Sequence, residues 1–138
     1  MGVSDHAPTG TMGGTLLILL YTAVAAFPMI VASLHGIPGE NAVYELGRNF
    51  ALIGFMVLIL QVFLASRLKW IERPFGLDLV LRSHRNMGIF ALLLFIAHPL
   101  LLSAGLGSAG LIIGTGVPWY IWLGRLTLVL LLINILLS

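Results

Sequence analysis

Two histidines fourteen positions apart, His84 and His98, are the residues whose type and spacing best fit chemistry in this sequence. They stand near the two ends of one apolar stretch, from Ser83-His84-Arg85 to Ile96-Ala97-His98-Pro99. At ~100° per residue, this spacing completes almost four helical turns, so both imidazoles leave nearly the same face, about 21 Å apart along the axis. One small ligand cannot touch both. Two flat cofactors stacked across a bilayer can, each taking one axial ligand from this helix, and haem uses histidine in this way. Between the histidines the same face carries Gly88, Ala91 and Phe95. The two small residues are expected to leave room for a porphyrin plane, with the aromatic ring between the two sites. Pro99 removes a backbone donor directly after His98 and is expected to bend the helix there. The plain alternative is that the histidines hydrogen-bond neighbouring helices, with His84 near enough to the boundary to meet water. Against it, ionisable residues inside membrane helices mark function by default.

The elements that position these residues follow from composition. The chain has 138 residues, 59% of them hydrophobic and 9% charged, with a mean hydropathy of +1.09, which excludes an ordinary soluble domain and indicates an all-α integral membrane protein. There is no cysteine, so disulfides, thiolate catalysis, cysteine-ligated iron–sulfur clusters and covalent haem attachment are excluded within this chain. Histidine is the nitrogen ligand that remains, at four positions. The net charge of +2 lies mostly beside apolar runs and forms no exposed stripe, so nucleic acid is not an expected partner. Met1-Gly2 opens like a myristoylation signal, but His6 stands where Ser or Thr is required. The first apolar run has no Lys or Arg before it, and its length of about twenty residues suits a retained span better than a cleaved signal peptide.

Residues 1–14 read as a flexible polar tail, followed by a first helix from Thr15 to Leu34 with Pro28 inside it. A turn-rich link through His35 and Pro38 leads to a second helix over Arg48–Ser66, where Gln61 is expected to bridge to another helix. The link from Arg67 to Arg85 holds five of the seven Lys and Arg residues, which the positive-inside rule places in the cytoplasm. The N-terminus is then cytoplasmic, His84 is the inner site and His98 the outer one. Gly105-Leu106-Gly107-Ser108-Ala109-Gly110 matches GxGxxG formally, but it follows a membrane helix instead of a strand and has no acidic residue after it, so it is rejected as a nucleotide site. Trp119, Tyr120 and Trp122 form an aromatic belt that opens the fourth helix, and Arg125 just beyond them is expected to snorkel to the headgroups.

Leu46-Gly47-Arg48, then Ile71-Glu72-Arg73-Pro74-Phe75-Gly76-Leu77-Asp78, then Ser83-His84-Arg85 with His98, resemble the ferric reductase-like transmembrane domain, whose superfamily includes the NADPH oxidases. The resemblance covers residues 15–138. It implies a six-helix bundle with two b-type haems that pass electrons singly from a cytosolic flavin to an outer acceptor such as a ferric chelate, dioxygen or a partner reductase. His84 would ligate the inner haem iron and His98 the outer, as in a cytochrome b. Arg48 would lie near the outer haem, and Arg82 and Arg85 near the inner one, where they could meet propionates; as headgroup contacts the two latter are equally well explained. In that family a fifth helix supplies the opposite ligands, whereas four helices are read here, so each haem would be half-ligated. FAD and NAD(P)H are implied on a missing domain or a partner flavoprotein subunit. The chain is therefore expected to be the haem-bearing part of an oxidoreductase in a bacterial plasma membrane and not self-sufficient, its missing helices supplied by further sequence or a partner. A homodimer that shares its histidines ranks below this. The rival from another class is a non-redox membrane scaffold or transporter fragment with structural histidines, which would be colourless.

Overall fold

Hydrocarbon offers backbone N–H and C=O groups no partner, so apolar runs of this length satisfy them internally as helices. The computed structural model describes residues 9–35, 41–66 and 68–137, with side chains from Met12. These residues form α1 (Thr9–Leu34), α2 (Ala42–Ala65), α3 (Lys69–Phe75), α4 (Leu77–Gly105), α5 (Gly110–Ile113) and α6 (Trp119–Leu137). Four of them, α1, α2, α4 and α6, are long and apolar enough to cross a membrane. At 1.5 Å per residue, α1, α2 and α4 rise about 39, 36 and 43 Å and α6 about 28 Å, against a hydrocarbon core of ~30 Å. The surplus in α4 carries its ends into the headgroup zone or tilts it.

Three boundaries differ from the sequence reading, each for a local reason. α1 begins at Thr9, so residues 9–14, read as tail, are helical, while residues 1–8, including His6, lie outside the described residues. α2 begins at Ala42, six residues before Arg48. Its N-cap is Asn41, whose side-chain oxygen accepts the Tyr44 N–H at 2.9 Å. Glu45 in the first turn pairs with Arg48 one turn on, so Glu45, outside the helix as read from the sequence, lies on it. The basic link is not a loop either: α3 occupies most of it, and α4 starts at Leu77, which places Arg82 and Arg85 on that helix. Gly76, at φ +77°, is the single joint between α3 and α4, a left-handed conformation that glycine adopts without penalty.

The antiparallel pair α2 and α4 is the centre of the bundle, with α1 against α2 and α3 against both α1 and α4. Glycines bring α2 and α4 together. A Cβ on Gly47 would lie 3.0 Å from Leu101 Cβ and from the Leu102 nitrogen, and one on Gly105 would lie 2.8 Å from the Tyr44 nitrogen. Asn41 also donates from Nδ2 to the Gly105 carbonyl at 2.6 Å, so one side chain caps the start of α2 and satisfies an orphan carbonyl at the end of α4. The core of Ala25, Val57 and Ala91 joins the three long helices. Gln61 reaches from α2 to the Tyr21 hydroxyl on α1 at 3.4 Å, the bridge expected of it. α6 has no buried residue. Arg125 ties it to the bundle by donating to the Gly110 and Leu111 carbonyls, with its guanidinium 4.7 Å over the Trp122 ring. That is a clasp on α5, a protein contact beyond the snorkelling read from the sequence.

Candidate functional site

Helix α4 presents its two histidines at matched depth: His84 stands seven residues after the first residue of the helix and His98 seven before the last. Each is therefore about 10 Å from its own helix end. Both imidazoles are part-buried.

The two sites differ in how the ring is held. At His98, Nδ1 lies 2.8 Å from the Gly47 carbonyl on α2. A carbonyl only accepts, so this contact puts the proton on Nδ1 and leaves Nε2 with its lone pair, the arrangement in which imidazole binds a metal. At His84, Nδ1 is buried without a hydrogen-bond partner. An unsatisfied buried ring nitrogen is costly, and a ligand or water that engages the ring removes the cost. One turn on, Gly88 faces open space, with nothing within 4 Å of where its Cβ would stand.

Between the histidines the face is not vacant throughout. Ala91 is 0% exposed and packs with Ala25 and Val57, so the room expected at this alanine is filled by α1 and α2. Phe95 lays its ring edge against Gly54, 3.6 Å from a Cβ built there, and so lies between the histidine levels on the α2 side. Pro99, within α4, withholds the N–H that would have closed on the Phe95 carbonyl. The result is two separate ends divided by a packed middle.

The arginines are distributed unevenly. Arg48 follows Gly47 directly and donates from Nη2 to Glu45, so the carboxylate it meets here is the chain's own. Arg82 and Arg85 are exposed on α4. His35 closes on its own helix, with Nδ1 2.9 Å from the Val31 carbonyl at the end of α1. Among the described residues no group of three or more His, Asp or Glu side chains converges as a metal cage. The GxGxxG stretch runs from the end of α4 into α5, with no strand among the described residues before it.

Sequence reading singled out the two histidines and Gly88 but missed the partner of His98. Gly47 and Gly54 are seven apart on one helix face, a spacing that signals a close helix crossing on that face of α2 without saying which residue meets it. Compared with known proteins, the chain matches no protein-family profile, no curated protein and no solved structure.

Proposed function

We propose that this chain carries electrons across a membrane through two b-type haems, one axial ligand for each coming from His84 and His98. The observation that carries the reading is the pair of imidazoles on one face of α4 at matched depth, each with a ring nitrogen that no hydrogen bond within the protein requires. Bound haem supplies a one-electron carrier at each site. The protein's own contribution is positional. His98 is aimed by Gly47, and His84 has the open flank of Gly88 beside it. Ala25, Val57 and Ala91 pack together between the two sites and separate them.

The opposite axial ligands come from outside these four helices on this reading: His35 lies past the end of α1, whereas His98 stands seven residues inside α4, so the two do not share a level, and no other described histidine remains. A fifth helix in further sequence or a partner chain fills that place, as in the resemblance to the ferric reductase-like domain, and a flavoprotein with FAD and NAD(P)H feeds the inner site. The acceptor at the His98 end is a ferric chelate, dioxygen or a partner reductase. With the basic end in the cytoplasm of a bacterial plasma membrane, electrons leave outward.

The test is a reduced-minus-oxidised visible spectrum of the protein expressed through the natural stop of its gene, purified in detergent together with any partner chain it retains, with haem precursor supplied. A b-type difference band with two haems per chain is the expected result. A folded, colourless protein supplied with haem sinks the reading and leaves the non-redox scaffold, in which the His98–Gly47 bond is simply a helix tie.

A further inference from the structure

We infer that Gly47 is a positioning residue whose backbone carbonyl selects the tautomer of His98 and thereby makes Nε2 its metal-binding nitrogen. The inference deepens the haem reading and rests on it for its purpose, but the tautomer exists whether or not a metal is bound.

The argument begins with what glycine allows. The Gly47 carbonyl can approach His98 only if α2 and α4 cross closely at this level, and the crossing is tight: a Cβ on Gly47 would stand 3.0 Å from both Leu101 Cβ and the Leu102 nitrogen, and 3.3 Å from the His98 carbonyl. Two of those atoms belong to the α4 backbone, so no side-chain rotation makes room. Any larger residue at 47 pushes the helices apart by a few tenths of an ångström or more, and the 2.8 Å contact from His98 Nδ1 is the bond that this movement lengthens.

That bond has a chemical consequence. Neutral imidazole carries one proton, on either nitrogen, and the partner of one nitrogen decides the role of the other. A backbone carbonyl accepts and cannot donate, so Nδ1 holds the proton. Nε2 is then the unprotonated nitrogen. Because the acceptor is main chain, held inside the hydrogen-bonded frame of α2, the ring is oriented as well as protonated. His84 has no such partner at Nδ1, which makes the two sites chemically unequal on one helix.

The test uses the full chain labelled with 15N-histidine, without haem and at alkaline pH, where nitrogen chemical shifts read which ring atom is protonated. The His98 signals are identified by their loss in His98→Gln. The wild type is expected to show His98 protonated at Nδ1 and bare at Nε2, and Gly47→Ala to lose that signature in favour of protonation at Nε2 or a mixture. Gly54→Ala is the control. It burdens the same helix crossing, with Leu94 Cβ 3.3 Å from the new methyl, but touches no histidine, so its His98 signals stay as in the wild type. If Gly47→Ala fails to fold, the wild-type spectrum alone decides.

Protonation of wild-type His98 at Nε2 overturns the inference, as does an unchanged tautomer in a folded Gly47→Ala protein. These outcomes are separable from the fate of the haem reading. A colourless protein with the expected Gly47-dependent tautomer refutes the haem and keeps Gly47 as the device that sets the ring. A two-haem protein whose His98 is protonated at Nε2 does the reverse.

Discussion

Asn41 and His98 each join α2 to α4 through a single side chain, and they mark the difference between a residue that holds the structure and one that also offers a nitrogen for chemistry. Asn41 uses both ends of its amide, the oxygen for the Tyr44 N–H and the nitrogen for the Gly105 carbonyl. Replacing it by alanine removes a helix cap and strands a carbonyl, for a loss of about 1–2 kcal/mol. Asn41→Asp keeps the acceptor and loses the donor, so its unfolding in a denaturing-detergent titration is expected to fall between wild type and Asn41→Ala. Equal loss in the two variants would assign the whole effect to the Gly105 contact. His98 uses one ring nitrogen for structure and keeps the other. On the haem reading, His98→Ala removes the haem at its own end and leaves the other, so the reduced-minus-oxidised spectrum falls to half its amplitude. His84→Ala does the converse. Loss of both signals from either variant would mean that the sites are not independent, contrary to the packed Ala91 layer that divides them.

At the level of elements, the α2–α4 pairing depends on glycines that are not interchangeable. At Gly105 a methyl would sit 2.8 Å from the Tyr44 nitrogen and 2.9 Å from its Cα, both backbone atoms that cannot turn aside. Gly105→Ala is therefore expected to cost about 1–3 kcal/mol, as overpacking does elsewhere. Gly88 is the opposite case, a helix-interior glycine facing open space, where alanine should gain up to about 1 kcal/mol from helix propensity in the haem-free protein. If a flat cofactor occupies that space, Gly88→Ala also weakens haem retention at the His84 end; stabilisation with unchanged haem content would place the cofactor elsewhere. This contrast explains what was legible beforehand. The four spanning helices could be read because each is a long apolar run, and the histidine pair because it lies within one of them. The short helix α3 could not, since Lys69-Trp70-Ile71-Glu72-Arg73-Pro74-Phe75 carries the charges and proline of a loop and gains its order by packing on α1 and α4, with Phe75 against Gly14. Ala91 looked like a vacancy because its size is printed in the sequence and its neighbours are not. The partner of His98 lies 51 residues away, and no local pattern encodes a contact at that separation.

For the molecule as a whole, its surface states the solvent. Large apolar side chains from Leu16 to Leu137 are exposed along every spanning helix, and α6 has no buried residue, a surface suited to a lipid bilayer. Charge bears on orientation: Lys69, Arg73, Arg82 and Arg85 lie at the end where α3 meets α4, while the opposite end carries the Trp119, Tyr120 and Trp122 belt with Arg125, and Arg48 paired with Glu45. From the positive-inside rule we propose that the α3 end is the cytoplasmic one. Because these 138 residues include no cysteine, single cysteines placed in them report sides without background from this sequence. Ser66 and Ser108 are both exposed, at the α3 end and at the α4–α5 turn respectively, and each replacement keeps a small side chain. In intact cells, a membrane-impermeant maleimide is expected to label Ser108→Cys and to spare Ser66→Cys until the membrane is opened. The reverse pattern would turn the molecule over, making His98 the inner site and His84 the outer one. Any electron path along α4 would then run toward the basic end, and the flavoprotein would have to dock beside the aromatic belt.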